Sequence, residues 1–202
     1  MLVSLLVPLW VLLRGSSALE VTGIAWYASN IHSHPIATKA ATSAVVFGAG
    51  DVAAQWIEKR KKVDGLRLGM TTAIGGLYFA PAAHYWYGWV TALLPSSALP
   101  FVLAKTGLGQ IFFGPLVTCV FFASACFQAD RSLRQLPRKI RKDLLAVQVA
   151  GLGYWPFVDL ISYSLIPVIY IPVFINLASF IWTIYLSIQS RTTGDQQQAR
   201  KN

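Results

Sequence analysis

Charge is scarce in this sequence: Asp, Glu, Lys and Arg make up 12% of its 202 residues, about half the share usual in soluble domains. Only eight residues are acidic, too few to coat the exterior of a soluble protein of this size. Cysteine is nearly absent. Cys119 and Cys126 are the two present, and seven residues of helix would hold them about 10 Å apart, beyond disulfide reach. No disulfide framework exists, and the redox compartment stays open. Of the three histidines, His32 and His34 stand two apart without a carboxylate or cysteine cluster, so no metal site is expected. The chain also lacks a phosphate-binding glycine loop, a nucleophile elbow and paired catalytic carboxylates, and Gly48-Ala49-Gly50 lies inside an apolar stretch instead of after a strand. Neither catalysis nor a cofactor is called for.

Apolar residue is what the chain has in quantity, at 55%, in several runs of roughly 20 residues or more, the length that crosses a bilayer. The net charge of +9 would suggest nucleic acid in a soluble protein, but its placement argues otherwise. Five basic residues lie between Lys59 and Arg67 and six between Arg131 and Lys142, in two segments separating apolar stretches. Such a bias orients membrane helices. The expected fold is all-α, an integral membrane bundle of about four transmembrane helices.

The organisation follows from the runs. Residues 1–19 read as a targeting segment: Met1 to Leu13 is apolar but short for a span, Ser16 and Ala18 could mark cleavage, and Arg14 follows the apolar core where a basic residue would normally precede it. Spans are expected at about 35–57, 68–94, 101–127 and 155–190 within a membrane domain of 20–190, followed by a polar tail over 191–202. The turn from Pro95 to Pro100 carries no charge, so uncharged and basic connections alternate. An interfacial amphipathic segment leads into the last span, which Pro156, Pro167 and Pro172 kink; the alternative is two spans divided near Pro167 and Pro172, returning the C-terminus to the basic side.

In the first span Ala37, Ala41, Ala44, Gly48, Asp51 and Gln55 fall at helical spacing, a stripe that is small at one end and polar at the other. Ala73, Gly76, Ala80, His84 and Tyr87 share a face of the second. Lys105, Gln110 and Pro115 interrupt the third.

These residues also form an ordered set of motifs. Trp26-Tyr27 precedes His34-Pro35, then Gly50-Asp51 and Gln55; Arg67, Gly76, Pro81, His84, Trp86 and Tyr87 come next, with Ala80 where a second Gly is usual; Lys105, Gln110 and Pro115 follow. Trp155-Pro156, Ile166-Pro167, Asn176, Trp182, Tyr185, Leu186 and Ser187 complete the series. The set resembles the Mpv-seventeen / peroxisomal membrane protein twenty-two family from about Trp26 to Ser187. The resemblance implies a four-span protein of mitochondrial inner or peroxisomal membranes, with the mitochondrial inner membrane favoured, associated with pore formation or small-metabolite permeability and organelle homeostasis, and without enzymatic activity. Against that pattern, Gly109 stands in the place of an Asp, Asp159 of a Gln, Ser162 of an Asn and Ile171 of an Arg.

An unpaired charge at mid-bilayer is costly, about 3 kcal/mol on insertion scales. Lys105 therefore needs a carboxylate, Asp159 or Asp51, or a route to the interface along its own stem. We expect Asp159 to supply from the fourth span the carboxylate missing at Gly109; otherwise it is wetted at a helix end. Asp51 with Gln55 is either a pore-lining pair or a clamp between helices. His84 either titrates at a pore or joins the aromatic belt of Tyr85, Trp86, Tyr87 and Trp89. Trp155 and Trp182 either meet a partner or anchor the ends of the last span.

Two readings of function result. In the first, the chain is a weakly selective channel for small solutes or metabolites, lined by Asp51, Gln55, His84, Lys105, Gln110, Asp159 and Ser162, with basic mouths that favour anions. In the second, it is a non-conducting structural or interaction protein whose polar residues clamp helices while its loops bind lipid or other membrane proteins. The expected partners are the lipid bilayer, small solutes and further copies in a homo-oligomer, with no nucleic acid.

Overall fold

The computed structural model describes residues 18–184, and every regular element among them is helical. The N-terminal targeting segment up to residue 17, the motif residues Tyr185, Leu186 and Ser187, and the polar tail lie outside the described residues. Helix α1 covers Ala18–Ser33 and α2 covers Pro35–Ile57, with Pro35 in the first turn, where a missing N–H costs nothing. Helix α3 runs over residues 65–93, started by Asp64, whose carboxylate accepts from the Arg67 backbone N–H at 3.0 Å. Helix α4 is Leu99–Asp130, α5 Leu136–Gly151, α6 Trp155–Leu165 and α7 Ile171–Ile184.

Two prolines, Pro115, expected to interrupt its helix, and Pro81, disturb their helices in the same way. In α3 a π turn over Ile74–Phe79 stands just before Pro81, and in α4 another over Gly109–Phe113 stands just before Pro115. A proline lacks the N–H that the carbonyl four residues back would accept, and its ring presses on that carbonyl. Widening the turn relieves both problems: Ala80 N–H donates to the Gly75 carbonyl and Gly114 N–H to that of Gly109. The third stretch is thus one continuous helix of 32 residues, not an interrupted one.

Helices α2 and α3 pack backbone against backbone. A methyl group at Gly75 would lie 2.7 Å from the Ser43 carbonyl and 2.8 Å from Phe47, and one at Gly76 would lie 3.2 Å from Ala44. The small stripe of α2 is rotated from the expected one. Ala44, Gly48, Asp51 and Gln55 do face the bundle, but Ala37 and Ala41 are exposed and Lys39, Ser43, Gly50 and Ala54 are buried in their stead. On α3 Ala73 is likewise exposed, whereas Gly76, Ala80 and Tyr87 are buried.

The C-terminal part corrects the expected single kinked span. Ile166 precedes Pro167 and is extended, at φ −98° and ψ 127°, so α6 stops there. Tyr154 then donates its hydroxyl to the Ala178 carbonyl at 2.9 Å and stacks on Trp182 at 5.1 Å. Twenty-four residues of straight helix would put those groups about 36 Å apart, so the chain has reversed and α7 returns beside α6. The basic segment 131–143 is also not a loop throughout, because α5 begins at Leu136 and carries Arg138, Lys139, Arg141 and Lys142 on its first turns.

Four spans are not delivered by length and apolarity. Among the described residues one helix, Leu99–Asp130, is long and apolar enough to cross a membrane, and α5 with α6, bent by 55°, would make a second if taken together. Helix α2 is long, at 23 residues, but its inward face carries Lys39, Ser43, Asp51 and Gln55, which dilute its apolar character. The outside of the bundle is apolar: Val45, Trp56, Leu77, Trp89, Ile111 and Phe112 are all exposed. Water seldom meets so wide a band of exposed apolar side chains on a soluble monomer.

Candidate functional site

Side chains that helical periodicity turns inward, apolar over most of the wall, surround a cavity of about 580 Å³ in the bundle. Helices α2 to α7 all contribute to its wall. Its middle is aromatic, with Phe47, Phe79, Phe113 and Phe121 from three helices, and hydroxyls and amides from Thr118, Gln148 and Ser179 are set among them.

At the end near the first basic loop stands a closed network. Asp51, 3% exposed, accepts from Arg67 Nε at 2.7 Å and from Gln55 Nε2 at 2.7 Å. The Arg67 Nη1 group donates to both oxygens of Glu58, at 3.0 and 2.8 Å. Gln55 Oε1 accepts from the backbone N–H of Asp64 at 2.6 Å, tying the end of α2 to the start of α3. Burial tends to raise the Glu58 carboxyl, but hydrogen bonds and charge from Arg67 and Arg60 outweigh it and hold the group below its ordinary value. Burial likewise opposes the charge of Arg67, and Glu58 and Asp51 overcome it, so the guanidinium is held above its ordinary value. Asp51 and Gln55 are therefore a clamp, and Asp51 also borders the cavity.

Toward the other end, Asp159 of α6 is 6% exposed and faces α4. Its Oδ2 accepts from Gln110 Nε2 at 3.2 Å, and Tyr87 stands beside it. A methyl group at Gly109 would lie 3.5 Å from the same oxygen. Asp159 thus stands opposite Gly109, the position where the resemblance expects a carboxylate.

The proposed partner does not follow. Lys105 is 2% exposed, yet its ammonium donates to the Ser96 carbonyl at 3.1 Å and lies 5.4 Å from the Tyr163 ring centroid. Among the described residues no ion pair joins it to Asp159 or Asp51. Lys105 lies in the second turn of its helix, near the uncharged turn, so its stem reaches a loop carbonyl more readily than a carboxylate several residues deeper.

His84 is held by a residue that sequence reasoning passed over. Lys39, 1% exposed, donates to His84 Nδ1 at 3.0 Å. The signal was present, as a lysine one turn inside an apolar helix. Arg67 was named as a motif residue but counted with the basic loop, although Asp64 three positions earlier marks it as the first turn of a helix. Ser162 is fully buried but donates to its own helix, at the Val158 carbonyl, and borders no part of the cavity, nor do Gln55, His84 or Lys105. Of the seven expected lining residues, Asp51, Gln110 and Asp159 line it. Buried Asn176 donates to Ser43 at 2.7 Å, fastening α7 to α2. Trp155 and Trp182 meet each other, 6.1 Å between centroids, at the cavity wall.

Residues 125–187 match the model of the Mpv17 / PMP22 family. The chain is 33% identical over 169 residues to protein sym1 of Aspergillus oryzae, covering 81% of this chain and 95% of that one. It is 25% identical over 158 residues to the mitochondrial inner membrane protein Mpv17 of Caenorhabditis briggsae, covering 78% and 87%. With the peroxisomal membrane protein PMP22 of Arabidopsis thaliana it shares 27% identity over 180 residues, covering 88% and 95%. No solved structure matches the chain.

Proposed function

Because the chain belongs to the Mpv17 / PMP22 family, we propose that it is a multi-pass protein of the mitochondrial inner or peroxisomal membrane that conducts small solutes through the centre of its helix bundle. The observation that carries this reading is the cavity of about 580 Å³ walled by six helices, with ionisable groups at both ends and aromatic rings between. Helices α2, α3 and α4 each cross, and the bent α5 and α6 lead across to the hairpin from which α7 returns. The apolar side chains on the outside of these helices face lipid, and their polar side chains face the cavity or each other.

The path is shut at the uncharged-turn end in this conformation. Val90, Val102 and Tyr163 are buried there in one packed cluster with Tyr87. Conduction requires this plug to part, and the two π turns lie at the heights where α3 and α4 would bend. The test is solute release: purified protein reconstituted into vesicles should discharge a trapped small dye at a rate proportional to protein content. Vesicles that retain the dye at every protein content, pH and membrane potential tried would refute the reading. The clamp of Asp51, Gln55, Arg67 and Glu58 favours the second reading, a non-conducting membrane protein; on that reading Asp51→Asn lowers assembly and leaves permeability per folded molecule unchanged.

A further inference from the structure

The cavity does not share the sign of the chain. In a protein of net charge +9, its ionisable wall is Asp51, Glu58 and Asp159 against Arg67. Two of those carboxylates are engaged with Arg67. Asp159 is not, and among the described residues no basic nitrogen lies within 4.0 Å of it. Its hydrogen-bond partner is the neutral Gln110, and the neutral Tyr87 stands beside it. From α4 the carboxylate meets the Gln110 amide and, at Gly109, no side chain, so that a methyl group there would lie 3.5 Å from its Oδ2; Phe113, Tyr87 and Trp155 line the same cavity.

We infer that the Asp159 end of the cavity binds a small organic ammonium ion, a protonated amine with an aromatic or branched apolar body. This deepens the channel reading and rests on it, since it takes the same cavity as the solute path. A buried carboxylate without a protein counter-charge is favoured by any cation that can reach it. Aromatic walls then select among cations. They attract an ammonium through the ring quadrupole and cover its apolar body, but give an inorganic ion nothing in place of its water. A metal ion needs several oxygen or nitrogen ligands, and among the described residues no group of three His, Cys, Asp or Glu could supply them. An anion would meet Asp159 directly. The volume, about 580 Å³, lies within the range of small-molecule pockets.

The test compares two probes of the same shape and opposite charge, 2-phenylethylammonium and 3-phenylpropionate, titrated by calorimetry at pH 7 into the purified full chain in detergent micelles. The ammonium should bind saturably and at least about tenfold more tightly than the carboxylate. Asp159→Asn should remove at least about tenfold of that affinity, Asp159→Glu should restore part of it, and Phe113→Leu should weaken the ammonium a few-fold. Equal affinity for the two probes, or an Asp159→Asn variant that binds the ammonium unchanged, overturns the inference. If Asp159→Asn fails to fold, the comparison of probes on the unaltered protein decides. Vesicle release without preference for the ammonium sinks this inference and leaves the channel standing; ammonium binding without release does the reverse.

Discussion

Replacing Arg67 by Met leaves Asp51 in place with a charge and no counter-charge. The native guanidinium gives Nε to Asp51 and Nη1 to both oxygens of Glu58. The Asp51 side chain is 4% exposed and cannot recover its hydration, whereas the Arg67 side chain is 23% exposed, so water can enter part of the vacated space. Removing one member of a buried pair costs about 3–5 kcal/mol, and partial access to water lowers the expectation to about 2–4 kcal/mol. For a chain of this size that is a fall in Tm of roughly 4–16 °C. The assay is thermal unfolding of purified protein in detergent, followed by size-exclusion chromatography and near-UV circular dichroism. Asp51→Asn in the Arg67→Met background removes the stranded charge and should return at least about half of the loss, because Gln55 can still bond the amide. A Tm for Arg67→Met within about 1 °C of the native protein, or a double variant no better than the single one, would refute the reasoning.

Other outcomes follow from the same geometry. Glu58 has a folded-state pKa held below its ordinary 4.5, so its contribution is present above that value and lost as pH falls through the folded one; Tm should drop below about pH 4.5, and Glu58→Gln should flatten that limb. Gly75→Ala puts a methyl group against the Ser43 carbonyl and Phe47, where backbone cannot withdraw, and should cost about 1–3 kcal/mol in thermal unfolding. Gly107→Ala meets nothing within 4 Å and should stabilise by up to about 1 kcal/mol. Asn176→Leu breaks the buried bond to Ser43 and should cost about 1–3 kcal/mol, seen in the same assay.

The helix starts were legible because prolines and apolar run lengths are local signals: Pro35 to Ile57 is the expected first stretch, residue for residue. The rotation of its buried stripe was not legible. A run of Ala, Ser, Thr and Gly offers small residues on every face, and only the partner helix decides that Ser43 and Gly50 go in and Ala37 and Ala41 stay out. The hairpin at Pro167 was open to two readings for the same reason: proline says where a helix ends, not where the next one goes. At the site, Asp51 with Gln55 could be paired from their spacing of one turn. The link from Asp51 to Arg67 crosses a loop, and the link from Lys39 to His84 crosses between two helices; contacts of that kind depend on how helices dock. Lys105 shows the converse, since a charge balance between helices suggested Asp159 when a carbonyl in its own preceding turn was nearer.

The claim on which the account depends is that the cavity is the solute path. Single-channel recording of the purified chain in planar bilayers tests it, together with Thr118→Trp, which places an indole in the cavity wall. The account predicts discrete conductance steps from the native protein and a unitary conductance reduced by at least about half in the variant when both are equally folded. Steps of the same size in both proteins, or no steps from the native protein across voltage and pH, would contradict it.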